Sequence, residues 1–158
     1  MAKSILRRAT ALGITVTTAE SCTGGMVAAA ITDIAGSSTI FERGFVTYSN
    51  VAKTDMLGVA PATLDEFGAV SEPVAAEMAQ GALMQAQAGL AVAITGIAGP
   101  GGSEHKPEGR VCFGLASGSG VTTQTVEFGA LGRASVRAAS RDHALRLLDQ
   151  ALAGMPSA

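Results

Sequence analysis

A run of small polar residues near the amino terminus carries the side chains best suited to chemistry. It reads Thr-Ala-Glu-Ser-Cys-Thr-Gly-Gly over residues 18–25, between a segment rich in β-branched residues and an alanine-rich apolar one. A hydroxyl at such a strand-to-helix turn is exposed, and the free N–H groups that follow it can hold an oxyanion. Ser21 is therefore the candidate nucleophile. The alternative, that Ser21 or Thr23 only caps the helix, stays open on this segment alone.

A serine nucleophile needs a base, and the histidines are poorly placed for that role. His105 lies in a glycine- and proline-rich segment, and His143 lies in the last predicted helix. Lys53 falls in the first turn of a helix that Asn50 could cap, where the helix dipole and burial would both lower the pKa of a lysine. A neutral lysine can take the serine proton, although most lysines are simply solvated. Tyr48, the only tyrosine, precedes this helix and could relay or orient a proton.

A second glycine-rich segment, residues 95–103, directly follows a continuous apolar run over residues 90–95. Ligands gather at the carboxyl ends of strands in open α/β sheets, and glycine lets the backbone approach them closely. The segment lacks the spacing of a P-loop and that of a dinucleotide-binding loop. It predicts a ligand-contacting loop, and an ordinary long connection remains the alternative.

Two further features are open to more than one interpretation. Arg133, Arg137 and Arg141 recur every four residues and so share one helix face, where one of them could bind a phosphate or all could form a solvated basic stripe. Cys22 follows the candidate nucleophile, and near a helix start it could be a reactive thiolate. The more frequent arrangement is a cysteine packed inward as a small apolar residue.

Composition excludes several classes of protein. The 158 residues are 47% hydrophobic and 15% charged, which predicts one folded domain, and no apolar run approaches the roughly 18 residues that span a membrane. Charges at the amino terminus argue against a signal peptide, so we expect a cytoplasmic protein. Two cysteines and two scattered histidines predict no structural metal site. A net charge of -2 without tryptophan gives no support for nucleic-acid binding.

The predicted elements alternate between helices and strands. Helices are expected over residues 3–12, 25–34, 50–58, 61–68, 71–89 and 132–152, and strands over residues 14–18, 45–48, 90–95, 110–116 and 121–128. An apolar sheet must be covered on both faces, and the last two strands form a hairpin. The sequence therefore predicts a single α/β domain over residues 1–158, a three-layer α/β/α sandwich with a mixed, mainly parallel sheet.

Five ordered blocks together closely resemble the CinA C-terminal family. They lie at residues 18–25, 34–38, 41–50, 68–75 and 95–102, so the resemblance runs over nearly the whole chain. It implies a compact α/β/α domain, often dimeric, that hydrolyses nicotinamide mononucleotide to nicotinic acid mononucleotide and ammonia. No cofactor or metal is implied, and a homodimer is the expected assembly.

The resemblance also implies roles for individual residues. The catalytic serine, lysine and tyrosine of the family fall on Ser21, Lys53 and Tyr48, and a family arginine expected near the phosphate falls on Arg137. The substrate-contacting positions fall on residues of the two glycine-rich segments: Cys22, Thr23, Gly24, Gly25, Thr95, Gly96 and Gly99.

Three features leave the function open at this point. Glu108 stands where relatives usually carry an apolar residue, so the packing of its loop is expected to differ. A catalytically silent nucleotide-binding module would keep the same glycine-rich loops with an idle Ser21–Lys53 pair. A cysteine hydrolase that uses Cys22 is the third alternative.

Overall fold

The computed structural model describes residues 1–157 of the protein. The six α-helices of this part are Ala2–Leu12 (α1), Met26–Thr32 (α2), Asn50–Leu57 (α3), Pro61–Phe67 (α4), Glu72–Ala86 (α5) and Arg133–Gly154 (α6). The five strands are Val16–Glu20 (β1), Phe45–Val46 (β2), Leu90–Gly96 (β3), Arg110–Ser117 (β4) and Gly120–Glu127 (β5). A single 3-10 turn lies at Ser37–Thr39.

The strands form one mixed sheet in the order β2-β1-β3-β4-β5. β2, β1 and β3 are parallel, and β4 runs antiparallel to both of its neighbours, so β4 alone runs against the other strands. The predicted mixed, mainly parallel sheet is confirmed. β3 lies at its centre with residues 90–95 all buried, as a strand covered on both faces must be.

Alternation along β3 separates the two helical layers. Leu90, Val92 and Ile94 belong to the apolar core that α1, α2 and α6 complete on one face. Ala91 and Ala93 belong to the core on the other face, which α3 and α5 cover. Small side chains let α5 approach the sheet closely: a Cβ at Gly114 would lie 2.3 Å from the carbonyl oxygen of Ala75. The fold is therefore the predicted three-layer sandwich.

The first strand is displaced from its predicted bounds. β1 begins at Val16 and continues through Glu20, because Ala19 and Glu20 pair with Ala93 and Ile94 of β3. The strand thus includes polar residues that the sequence pattern assigned to a turn. Ser21 consequently follows the last residue of β1 directly.

Two predicted helix boundaries are wrong for local reasons. Ser49, not Asn50, caps α3, since its hydroxyl accepts the N–H of Ala52 at 3.0 Å. Helix α5 ends at Ala86, with Gln87 in the left-handed conformation at φ 50°, and not at Gly89. Gly89 is instead a packing position, where a Cβ would lie 2.7 Å from the side chain of Ile14.

Crossing a bilayer takes a long and apolar helix, and none of the helices within residues 1–157 is of that kind.

Candidate active site

Ser21 occupies the turn between β1 and α2. Its N–H donates to the carbonyl of Ile94 at 3.0 Å, which ties the turn to the carboxyl end of β3. Apart from the contact of the Cys22 N–H with its own thiol, the backbone N–H groups of Cys22 and Thr23 have no hydrogen-bond partner among residues 1–157. Two free donors beside a nucleophile are what an oxyanion hole requires.

A buried carboxylate holds this turn in place. Glu20 is 0% exposed, and it accepts hydrogen bonds from the hydroxyl of Thr23 at 2.7 Å and from the N–H groups of Val27 and Ala28 at 2.9 and 3.0 Å. The two amides belong to the first turn of α2, where the helix dipole stabilises a negative charge. Glu20 thus joins the last residue of β1 to the start of α2 and fixes the segment that contains Ser21.

Lys53 contacts Ser21 from helix α3. It is the fourth residue of α3, its side chain is 1% exposed, and its Nζ lies 3.1 Å from the Oγ of Ser21. Burial lowers the pKa of Lys53, because removal from water disfavours the charged ammonium. The structure therefore joins the predicted base to the predicted nucleophile in a dry environment.

Two backbone carbonyls define the hydrogen-bonding roles of this lysine. The Nζ of Lys53 donates to the carbonyl of Thr47 at 3.0 Å and to that of Tyr48 at 3.5 Å. Carbonyl oxygens only accept hydrogen bonds, so a neutral amine donates both of its N–H groups to them. Its lone pair is then left for the hydroxyl proton of Ser21, which is the arrangement that a general base needs.

Cys22 has the properties of a packed thiol. Its side chain is buried, and burial raises the pKa of the Cys22 thiol to about 11. The thiol is therefore protonated near neutral pH, and the sulfur lacks the nucleophilicity of a thiolate. Burial and protonation of the thiol make Cys22 the weaker candidate, and the neighbouring hydroxyl of Ser21 the better one.

Ser21 and Lys53 both line a cavity of about 340 Å³. This volume lies within the roughly 300–1,000 Å³ usual for small-molecule sites. One wall is formed by residues 96–103, and Ala69, Val70 and Arg133 also line the cavity. The lining includes seven of the predicted site residues: Ser21, Cys22, Tyr48, Lys53, Thr95, Gly96 and Gly99.

Tyr48 reaches the cavity from its mouth. The residue is 60% exposed, and its phenol oxygen accepts a hydrogen bond from Nη2 of Arg133 at 2.7 Å. Nη1 of the same guanidinium donates to the carbonyl of Gly99 at 2.6 Å. Among residues 1–157 the phenol makes no hydrogen bond to Ser21 or Lys53, so its geometry fits orientation of Arg133 better than proton transfer at the serine.

A model of the CinA C-terminal domain matches residues 1–152 of this chain. The chain belongs to the CinA C-terminal domain family. It is 59% identical over 143 residues to the nicotinamide-nucleotide amidohydrolase PncC of Escherichia coli (strain K12), covering 89% of this chain and 86% of that protein. A CinA-like protein of Chlorobium phaeobacteroides (strain BS1) is 51% identical over 145 residues, which cover 89% of this chain and 34% of that protein.

Solved structures of CinA proteins confirm the fold. The competence/damage inducible protein CihA from Agrobacterium tumefaciens is 51% identical with a TM-score of 0.91, and the match covers 96% of this chain and 92% of that chain. The competence damage-inducible protein A from Klebsiella pneumoniae is 37% identical with a TM-score of 0.94, covering 98% of this chain and 96% of that one. The family and the α/β sandwich predicted from the sequence are thus confirmed.

Four of the residues that the CinA resemblance singled out do not line the cavity. The hydroxyl of Thr23 points to Glu20, and Gly24 and Gly25 form the turn with φ values of 59° and 104°. Arg137 donates from Nε to the carbonyl of Cys22 at 2.9 Å and from Nη2 to that of Thr23 at 3.4 Å. These residues support the turn that contains Ser21, while Arg133 is the arginine that lines the cavity of this CinA domain.

Three charged side chains of this CinA domain have supporting roles that the sequence pattern did not predict. Glu20 holds the turn that contains Ser21, and Lys106 donates to the carbonyls of Phe67 at 2.7 Å and Val70 at 2.5 Å, beside the cavity. Glu108 braces the glycine-rich wall. A glutamate inside an otherwise uncharged strand segment was the available signal for Glu20; the other two depend on how a long loop folds back.

Among residues 1–157, no group of three or more His, Cys, Asp or Glu side chains is arranged to hold a metal ion.

Proposed function

We propose that this chain is an amidohydrolase that converts nicotinamide mononucleotide to nicotinic acid mononucleotide and ammonia. The observation that carries the proposal is the 3.1 Å contact between Nζ of the buried Lys53 and Oγ of Ser21 at a small-molecule cavity. The name of the Escherichia coli relative, nicotinamide-nucleotide amidohydrolase, supports the choice of substrate.

The first half of the reaction forms an acyl-enzyme. Neutral Lys53 removes the hydroxyl proton of Ser21, and Oγ adds to the carbon of the carboxamide. The carbonyl oxygen becomes an oxyanion that the free N–H groups of Cys22 and Thr23 stabilise. The protonated Lys53 then returns its proton to the leaving nitrogen, the C–N bond breaks, and ammonia departs.

The second half of the reaction is hydrolysis. Neutral Lys53 takes a proton from water, and the resulting hydroxide adds to the acyl carbon. The tetrahedral intermediate collapses with cleavage of the bond to Oγ, and the proton on Lys53 restores the Ser21 hydroxyl. The products are the free carboxylic acid and the starting enzyme, and every step uses side chains and backbone groups of this chain.

The charge at the cavity edge suits a nucleotide. The Arg133 guanidinium lines the cavity, and among residues 1–157 no carboxylate forms a salt bridge with it. Its two hydrogen bonds go to neutral acceptors, the Tyr48 phenol and the Gly99 carbonyl. A cation with no anionic partner can attract the substrate phosphate without breaking an ion pair.

Ammonia release by the purified protein tests the proposal. We expect nicotinamide mononucleotide to yield equal amounts of ammonia and nicotinic acid mononucleotide, with Ser21→Ala as the control for contaminating activity. Saturable binding of the mononucleotide by calorimetry, without ammonia release, would instead identify a silent nucleotide-binding module.

A further inference from the structure

The middle of the cavity wall, residues 98–102, lacks backbone support. Within residues 1–157, none of its N–H or C=O groups forms a hydrogen bond with another backbone group. The wall is held by the backbone only at its two flanks, where Ile97 donates to Arg110 at 2.9 Å and Ser103 donates to Lys106 at 2.9 Å. A segment of this kind owes its position to side chains.

Two side chains supply the hydrogen bonds of this wall. The carboxylate of Glu108 accepts the N–H of Gly101 at 2.7 Å, and the guanidinium of Arg133 donates to the carbonyl of Gly99 at 2.6 Å. The second oxygen of Glu108 accepts the N–H of Gly132 at 3.2 Å. Gly132 is the residue that precedes α6, so both attachments lead to the start of a 22-residue helix.

Glu108 is chemically suited to this bridging position. An ionised carboxylate has two acceptor oxygens and can accept the two amides on separate atoms, whereas a glutamine side chain has only one acceptor oxygen. The side chain also packs directly on the wall, since a Cβ at Gly99 would lie 2.5 Å from its carboxyl carbon. Its negative charge lies beside the N-terminus of α6, where the helix dipole stabilises it.

We propose that Glu108 is a positioning residue for substrate binding. Its carboxylate holds residues 98–102 against the start of α6, and this arrangement directs Arg133 to the cavity. The proposal rests on the proposed function, because the ligand that the wall and Arg133 accommodate is the mononucleotide. Glu108 makes no hydrogen bond to Ser21 or Lys53, so its loss weakens binding and leaves the chemical step in place.

Three variants separate the bridging role from that of charge. Glu108→Ala removes both hydrogen bonds, Glu108→Gln keeps one acceptor, and Glu104→Ala removes an exposed carboxylate of the same loop that has no hydrogen bond among residues 1–157. We measure kcat and KM for nicotinamide mononucleotide, amide hydrogen exchange over residues 98–102, and thermal unfolding. If Glu108→Ala does not fold, the same measurements on Glu108→Gln test the proposal.

The expected result is a change in KM with kcat retained. Glu108→Ala raises KM about tenfold, the effect of losing hydrogen bonds to a charged group, and speeds exchange over residues 98–102. Glu108→Gln lies between Glu108→Ala and the unaltered protein, while Glu104→Ala behaves like the unaltered protein.

Three outcomes would overturn the proposal: unchanged KM and exchange in Glu108→Ala, a fall in kcat with KM unchanged, or the same changes in Glu104→Ala. If the unaltered protein releases no ammonia, the proposed function fails. Hydrogen exchange and the dissociation constant of the mononucleotide then still decide the role of Glu108.

Discussion

The Nζ of Lys53 lies 3.1 Å from the Oγ of Ser21, although 32 positions separate the two residues in the chain. The parallel pairing of β1 with β2 produces this contact. Glu20 pairs with Val46, and the N–H of Thr47 donates to the carbonyl of Glu20 at 2.8 Å. The chain leaving β2 therefore runs beside Ser21 before it enters α3, the helix that carries Lys53.

Replacement of Ser21 by alanine is expected to lower kcat by several orders of magnitude while the thermal unfolding transition stays close to that of the unaltered protein. The change removes the attacking oxygen and little packing volume. Cys22→Ser is the matched control on the next residue, and it should keep substantial activity because the buried thiol is protonated at neutral pH. Equal losses of ammonia release in the two variants would move the nucleophile to Cys22.

Replacement of Lys53 by arginine tests the general base. Burial lowers the pKa of Lys53, so kcat should rise with pH along a limb centred below the ordinary lysine value of about 10.4. Lys53→Arg keeps the charge but cannot release a proton near neutrality, and it should fail as completely as Lys53→Met. A pH–rate profile of the unaltered protein and the maximal rates of the two variants are the measurements. A near-normal maximal rate in Lys53→Arg would end the general-base hypothesis.

Replacement of Lys53 by methionine also tests the cost of its burial. Because the pKa of Lys53 is lower in the folded protein, the unfolded chain binds more protons between the two pKa values, and stability rises with pH through that window. Below the pKa of Lys53 in the folded protein, this pH-dependent gain in the free energy of unfolding is lost. The free energy of unfolding of the unaltered protein should therefore increase with pH relative to that of Lys53→Met, as urea titrations across pH 7 to about 10 can measure. If the free energies of unfolding of the two proteins depended on pH in the same way, the pKa of Lys53 would not be lowered by folding.

Replacement of Glu20 by glutamine should destabilise the nucleophile turn. The amide –NH2 cannot accept, so the N–H of Val27 or of Ala28 loses its buried acceptor, at a cost of about 1–3 kcal/mol. We expect lower stability and a lower kcat, because the free N–H groups beside Ser21 lose their fixed position. Glu42→Gln, at an exposed glutamate, is the control in urea unfolding and ammonia release. Normal kcat in a destabilised Glu20→Gln would restrict Glu20 to a structural role.

Local patterns were sufficient for the architecture. The apolar run at residues 90–95 predicted the sheet centre, and Gly13, Gly58 and Gly68 marked helix ends that the structure confirms. These features depend on neighbours within one turn or one strand, so a single sequence contains them. Gly89 was wrongly predicted to end a helix. A glycine is needed there because the side chain of Ile14, a residue distant in the chain, packs closely against it.

Residue types and their spacing were enough to indicate the family, the order of helices and strands, and the candidates Ser21 and Lys53. The folded chain adds that Lys53 is buried against Ser21, that Glu20 holds the turn, and that Arg133 lines the cavity while Arg137 supports the turn. The physical reason is that residue type and spacing set local conformation, whereas strand register and helix packing set which side chains meet. Arginines four positions apart share a helix face, but the height at which that face meets the cavity depends on how α6 packs on the sheet.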